Sequence, residues 1–258
     1  MTKTTQDKQP TKASVLRTLW IAIMSLLYTA NTCIRSIVRG LLGNSNRGWV
    51  DDTLQLWVKR VLKLVGVTCQ VYNPHHVMPV PGQHTIVMCN HSSLYDIPLS
   101  LLAFPKNSLR MLAKKEMSKI PLMAKGMVAA EFPFIDRHNR REAIKDLAFV
   151  EQLLESGIVM WIAPEGTRSK DGRLQPFKKG AFITAIKANA VIIPIGIRGA
   201  YDILPARTHH VNLNQRAEVH IGQPIDASKF TLENKEELIE QVYQSISVLI
   251  GDQPTLKD

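Results

Sequence analysis

Residues 140–163 read RREAIKDLAFVEQLLESGIVMWIA, and this stretch decides the fold class. Ile144, Leu147, Val150, Leu153 and Leu154 recur at helical spacing, which predicts an amphipathic helix over residues 140–156. Gly157 stands where a helix C-cap asks for left-handed backbone. Immediately after it, residues 157–163 form a continuous apolar run, too short for a helix of its own and suited to a strand buried on both faces. A helix leading through one glycine into such a strand is the unit of an α/β sheet.

The same alternation continues outward. Apolar runs at 85–89 and 191–197, and shorter ones at 109–113 and 218–221, read as strands, while 181–190 and 233–250 read as helices. The expected fold is α/β, a mixed β-sheet flanked by helices, occupying residues 69–258. Pro194 lies inside one apolar run and predicts an edge or irregular strand there. In sheets of this class the chemistry sits on loops beyond strand ends.

Upstream, residues 1–14 are polar and read as a loose tail. An uncharged run from Thr18 to Ile34, bounded by Arg17 and Arg35, approaches the ~18-residue length of a membrane span, softened by Ser25, Thr29, Asn31 and Thr32. Residues 49–67 repeat Leu54, Trp57, Val58, Val61, Leu62 and Val65 at helical spacing among Lys59, Arg60 and Lys63. Residues 15–68 are therefore expected to form a membrane-associated helical pair that enters or crosses one leaflet, with basic residues and tryptophans at headgroup level. A soluble helical cap is the alternative. Arg35 and Arg39 follow the apolar run without a small-residue cleavage site, which argues against a secretory signal.

A formal net charge of +10 favours an anionic partner, whether nucleic acid, anionic lipid or a phosphorylated substrate. Cys33, Cys69 and Cys89 are odd in number and lack CxxC spacing, which fits buried thiols in a reducing compartment. No HExxH and no compact carboxylate or Cys/His cluster suggests a metal site, and the pairs His75-His76 and His209-His210 fall on loops expected at the surface.

Three segments carry chemistry. After the strand ending at Cys89 comes Asn90-His91-Ser92-Ser93-Leu94-Tyr95-Asp96. On a regular helix, at ~100° per residue, His91 and Asp96 would point apart, so they meet only if the chain turns between them. An Asp on one imidazole nitrogen fixes the tautomer and lets the other nitrogen act as a general base; a turn whose side chains merely cap backbone groups fits the pattern equally. After the strand at 157–163 comes Pro164-Glu165-Gly166-Thr167-Arg168-Ser169. There Gly166 allows close backbone approach, the amides after it can face an oxyanion or phosphate, and Arg168 offers a phosphate fork. A solvated basic loop is the plainer reading. Phe132-Pro-Phe-Ile-Asp136-Arg137 ends in an acid–base pair that either holds a phosphate or only pairs with itself, and one of the lysines in Ala113-Lys114-Lys115-Glu116 can reach a site at these strand ends.

In combination, these segments resemble the lysophosphatidate acyltransferases of the glycerophospholipid acyltransferase superfamily. Asn90-His91…Asp96, Phe134-Ile-Asp-Arg137, Pro164-Glu-Gly-Thr-Arg168 and Ile193-Pro194-Ile195 occur in the family's order. Linking segments at 113–116, Ile120-Pro121 with Gly126, and 177–180 match as well. The resemblance covers residues 69 to 225, and four ordered motifs are far more specific than any one. Ala163 stands where the family often has Phe, a position expected to affect packing.

The resemblance implies transfer of a fatty acyl group from acyl-CoA or acyl-carrier protein to the 2-hydroxyl of 1-acylglycerol-3-phosphate, forming phosphatidate. It implies His91 as base, Asp96 as its holder, Arg137 and Arg168 as phosphate clamp, Glu165 on the acceptor's glycerol portion, and Gly166, Thr167 and Lys114 around the oxyanion and phosphate. No cofactor or metal is implied, the acyl thioester being a co-substrate. Membrane lipid, anionic bilayer and thioester donor are the expected partners, not nucleic acid, at the cytoplasmic face of a membrane (the inner membrane in a bacterium). The same chemistry on glycerol-3-phosphate, another lysophospholipid or a lyso-ornithine lipid is the nearest alternative. A serine hydrolase lacks its G-x-S-x-G elbow here, and a basic lipid-binding module without catalysis leaves the ordered motifs unexplained.

Overall fold

The computed structural model describes residues 9–44, 46–136 and 139–252. Six strands form the central sheet: β1 (Thr68–Tyr72), β2 (Thr85–Cys89), β3 (Leu109–Met111), β4 (Val159–Ile162), β5 (Val191–Arg198) and β6 (Arg216–Ile221), with a short β7 (Ile225–Asp226) beside β5. Their spatial order is β1-β6-β5-β2-β4-β3. β5, β2, β4 and β3 run parallel, and β6 runs antiparallel to β5 and parallel to β1, so the sheet is mixed as expected. The parallel arrangement has a direct consequence: β2, β4 and β3 deliver their C-terminal ends, and the loops that follow, to one edge.

The helices are α1 (Val15–Leu41), α2 (Arg47–Val65), α3 (Asp96–Ala103), α4 (Pro121–Ala129), α5 (Arg140–Glu155), α6 (Gly180–Lys187), α7 (Ala200–Ile203) and α8 (Lys235–Ile250). Alternate residues of the central strands feed two apolar layers. Val87, Cys89, Trp161, Ile193 and Ile195 join the layer beneath α2 and α3. Ile86, Met88, Met160, Ile162 and Ile192 join the layer beneath α5, α6 and α8. Both faces are covered, which is why these strands read as unbroken apolar runs. The helix that decides the fold ends at Gly157 (φ 89°), whose N–H donates to Leu154 O while the Ile158 N–H donates to Leu153 O. Val150, Leu153 and Leu154 are buried; Ile144 and Leu147 lie outside the described side chains.

Of the two readings of Pro194, edge strand or irregular strand, the structure excludes the edge. β5 is central, not an edge strand, paired with β2 on one side and with β6 and β7 on the other. The β6 pairing stops at Ile195 and the β7 pairing at Ile192, leaving a gap where the chain turns. Pro194 O accepts from Gly222 N at that gap, and a strand residue directs its N and O to the same side, so the missing N–H falls where no ladder bond is lost.

The N-terminal helices divide their roles. α2 buries Val58, Leu62 and Val65 in the same layer as Val87 and Cys89. It is further tied to β3 by Arg110, a fully buried guanidinium bonded to Asp51 Oδ1 (2.7 Å) and Ala130 O (2.6 Å). Among the described residues, α1 is the one helix long and apolar enough to cross a membrane, and Val15, Leu16, Leu19, Trp20, Leu26 and Leu27 stand exposed on it. It packs on α4 through Gly126, where a side chain would overlap the backbone and Cβ of Cys33. Gly126→Leu is accordingly expected to pry α1 from α4 and lower stability by about 1–3 kcal/mol. Limited proteolysis in detergent, with a thermal melt beside it, checks this: cleavage near residues 40–44 should accelerate while the sheet core stays resistant.

Candidate functional site

The loop after β2 turns so that His91 and Asp96 meet. Asp96 is the first residue of α3 and is fully buried, and its Oδ2 accepts from His91 Nδ1 (2.8 Å), Ser92 N (2.7 Å) and Ser93 N (2.8 Å). One oxygen thus caps the turn and holds the imidazole, an arrangement compatible with both sequence readings of this segment. With Nδ1–H held by the carboxylate, the lone pair of the neutral imidazole lies on Nε2. Nε2 makes no hydrogen bond among the described residues, and the His91 side chain retains 17% exposure.

Neighbouring residues hold the turn in place. The side-chain amide of Asn90 extends the sheet, donating to Ile197 O (2.9 Å) and accepting from Ile197 N (2.8 Å). Ser93 Oγ donates to Leu204 O (2.8 Å). The Trp161 indole stands edge-on to the imidazole. Neither Trp161 nor these particular bonds had a periodicity or spacing to announce them; Asn90 was marked by its place beside His91, and Ser93 by the Ser92-Ser93 pair that permits a turn.

The loop after β4 joins this turn through two bonds. Glu165 Oε1 accepts from His91 N (2.6 Å), and Ser169 N donates to His91 O (2.7 Å). Glu165 Oε2 accepts from Gln175 N (3.1 Å), so both carboxylate oxygens are engaged by backbone, and the side chain is 2% exposed. This geometry makes Glu165 a strut between the loops, in place of the acceptor contact expected from sequence. Burial pushes its carboxyl up to about 8 against the pull of the His91 and Gln175 amides, with Asp96 and Asp171 adding to the rise.

Gly166 takes positive φ (73°), and its own N–H closes the turn onto Ala163 O (3.0 Å). The amides of Thr167 and Arg168, which follow, make no hydrogen bond among the described residues. Arg168 is half-buried and its guanidinium has no described partner; Lys178, whose N–H donates to Pro164 O, packs its side chain beside Gly166. Beyond β3, Ala113–Lys114 pairs with Phe134–Ile135, placing the exposed Lys114 at the same sheet edge. Asp136 pairs with Lys115 (3.3 Å), and Arg137 lies outside the described residues. Three motif loops thus converge on one edge, around an imidazole whose Nε2 has no partner among the described residues. His75, His76, His209 and His210 are exposed, far in role from this edge. Cys89 is buried and its thiol is raised by desolvation; Cys69 is half-buried and raised to about 11.

The mixed sheet thus carries a His–Asp pair and a cationic loop together at its strand ends. The Acyltransferase family model matches residues 68–198, half of the sequence, and the chain belongs to that family. Among its relatives, 1-acyl-sn-glycerol-3-phosphate acyltransferase alpha of Mus musculus is 28% identical over 200 residues, covering 77% of this chain and 69% of that protein. The chloroplastic 1-acyl-sn-glycerol-3-phosphate acyltransferase LPAT1 of Arabidopsis thaliana is 33% identical over 152 residues, 59% of this chain and 42% of that one. The fold is that of the crystal structure of the 1-acyl-sn-glycerophosphate acyltransferase of Thermotoga maritima, with a TM-score of 0.76, 24% identity, and coverage of 95% of this chain and 97% of that one.

The strut makes a thermodynamic prediction. The folded chain retains the Glu165 proton at pH values where the unfolded chain has released it. The favourable contribution is therefore complete below pH 4.5 and lost as pH rises through about 8. Glu165→Gln removes the titration, so the melting temperature of wild type should fall more steeply than that of the variant between pH 5 and pH 9. Parallel curves would show that Glu165 does not titrate in this window.

Proposed function

We propose that this chain transfers a fatty acyl group from acyl-CoA or acyl-carrier protein to the 2-hydroxyl of 1-acylglycerol-3-phosphate, forming phosphatidate. The observation that carries the reading is His91 held at Nδ1 by a buried carboxylate, with no partner at Nε2 among the described residues, on a turn whose backbone is bonded to Ser169 of the Gly166 loop. The names of the relatives supply the acceptor.

In this reading His91 Nε2 removes the proton of the acceptor hydroxyl as its oxygen attacks the thioester carbonyl. The imidazolium is stabilised by Asp96, and when the C–S bond breaks the proton passes to the departing thiolate. The tetrahedral oxyanion takes hydrogen bonds from the free amides after Gly166, with Lys114 adding positive charge. Arg168 and Arg137 bind the acceptor phosphate, and Thr167 stands beside it. Glu165 acts through the loops it joins. All groups return to their starting protonation, so the residues of the site complete the cycle with no further cofactor.

The acceptor is a membrane lipid, and the exposed apolar residues of α1 suit a bilayer. Residues 15–68 serve as the membrane-associated region and residues 69–258 as the catalytic domain, working at the cytoplasmic face, the inner membrane in a bacterium. The net charge of +10 suits an anionic surface.

Thioester consumption by purified protein in detergent tests the reaction. Turnover should require 1-acylglycerol-3-phosphate, and His91→Ala should reduce kcat by at least about 10²–10⁴-fold in folded protein. Turnover with glycerol-3-phosphate or another lysolipid alone would keep the chemistry and change the acceptor. Arg168→Ala should raise the acceptor KM about tenfold, a loss of ~1.4 kcal/mol, with kcat nearly unchanged. A fall confined to kcat would move Arg168 from ground-state binding to the transition state.

A further inference from the structure

We infer that Trp161 is a positioning residue for His91: its indole is the wall that, together with Asp96, fixes the plane of the imidazole. The inference rests on the general-base role of His91.

A hydrogen bond at Nδ1 fixes one point of the ring, and the ring can still tilt about the Nδ1–oxygen direction. A second contact away from that axis removes this freedom. Trp161 on β4 provides it, with ring centroids 5.9 Å apart and planes at 86°, an edge-to-face arrangement that favours one relative orientation over stacked alternatives. The indole is itself immobilised. It is 4% exposed, and its Nε1–H donates to Ser100 Oγ at 2.8 Å.

Ser100 lies four residues after Asp96 on α3, so the two side chains share one helix face. That face holds the imidazole by Asp96 and the indole by Ser100, and the two rings meet each other. Turn, helix and strand β4 form a closed triangle around the base. An indole is not needed merely to fill this layer. A leucine there would leave no buried N–H in want of an acceptor, while tryptophan requires Ser100 to satisfy one. A small misplacement of the base is costly because its nitrogen must meet the hydroxyl at near-attack distance, and about 1 Å can cost ~10²-fold.

The test compares Trp161→Leu, Trp161→Phe, Ser100→Ala and His91→Ala in the detergent thioester assay, with a thermal melt for each. Trp161→Leu should lower kcat about tenfold to ~10²-fold while leaving both KM values within about twofold. Trp161→Phe, which retains an aromatic edge, should recover most of kcat. Ser100→Ala, which frees the indole without removing it, should lower kcat several-fold, again with KM unchanged. Folded Trp161→Leu with wild-type kcat, a loss appearing mainly in KM, or a phenylalanine variant no better than leucine would each overturn the inference. Should Trp161→Leu fail to fold, Ser100→Ala decides, and an unchanged kcat overturns it. Substantial activity in His91→Ala would overturn the general-base reading itself, whereas an inactive His91→Ala beside a fully active Trp161→Leu removes only the role of Trp161.

Discussion

One carboxylate oxygen, Asp96 Oδ2, accepts from the His91 imidazole and from the backbone of Ser92 and Ser93. Asp96 is fully buried, and three N–H groups converging on its Oδ2 replace the hydrogen bonds that water would supply. The convergence imposes the turn, since two of the donors are consecutive amides that cannot both reach one oxygen from an extended chain. The turn in turn begins α3 at Asp96 and sets the imidazole between Asp96 and the Trp161 indole. Folding the segment and orienting the imidazole are one event, so a substitution at Asp96 cannot release the imidazole and leave the local fold untouched.

The placement of this turn depends on strand direction. β2, β3 and β4 are parallel, so the loops at 90–96, 113–114 and 163–169 emerge together although long stretches of sequence separate them. Hydrogen bonds between loops then set the fine geometry: Glu165 reaches the His91 amide, Ser169 reaches its carbonyl, and Asn90 reaches across to β5. Each anchors backbone, which leaves the side chains of His91, Thr167 and Arg168 available. Positive φ at Gly166 directs the following amides outward, in the manner of anion-binding backbone turns.

Much of this was legible in the sequence because it follows from local pattern. The strand at 85–89, the helix ended by Gly157 and the loops beyond strand ends all announce themselves through periodicity and turn residues. Features fixed by distant contacts did not. Pro194 reads as the mark of an edge or irregular strand, and only the gap between β6 and β7 shows how a central strand accommodates it. Glu165 reads as a polar residue facing substrate, yet its partners are amides from two other segments. Arg110 sits in a short apolar strand with no sign in sequence that Asp51, from α2, would neutralise it. Trp161 reads as one more strand residue until β4 and α3 bring it against His91.

The N-terminal helices show how one pattern of apolar spacing serves two environments. α2 turns its apolar stripe inward to the sheet and ties it down with Asp51. α1 contributes few residues to the core and leaves its largest apolar side chains outside, an arrangement that costs free energy in water and is relieved by lipid. Because α1 rests on α4 through Gly126, and α4 follows the Lys114–Lys119 segment, the apolar surface is mechanically continuous with one rim of the site. The Gly126 contact therefore couples the position of α1 to that of the lysine-bearing rim, although the two lie far apart in sequence.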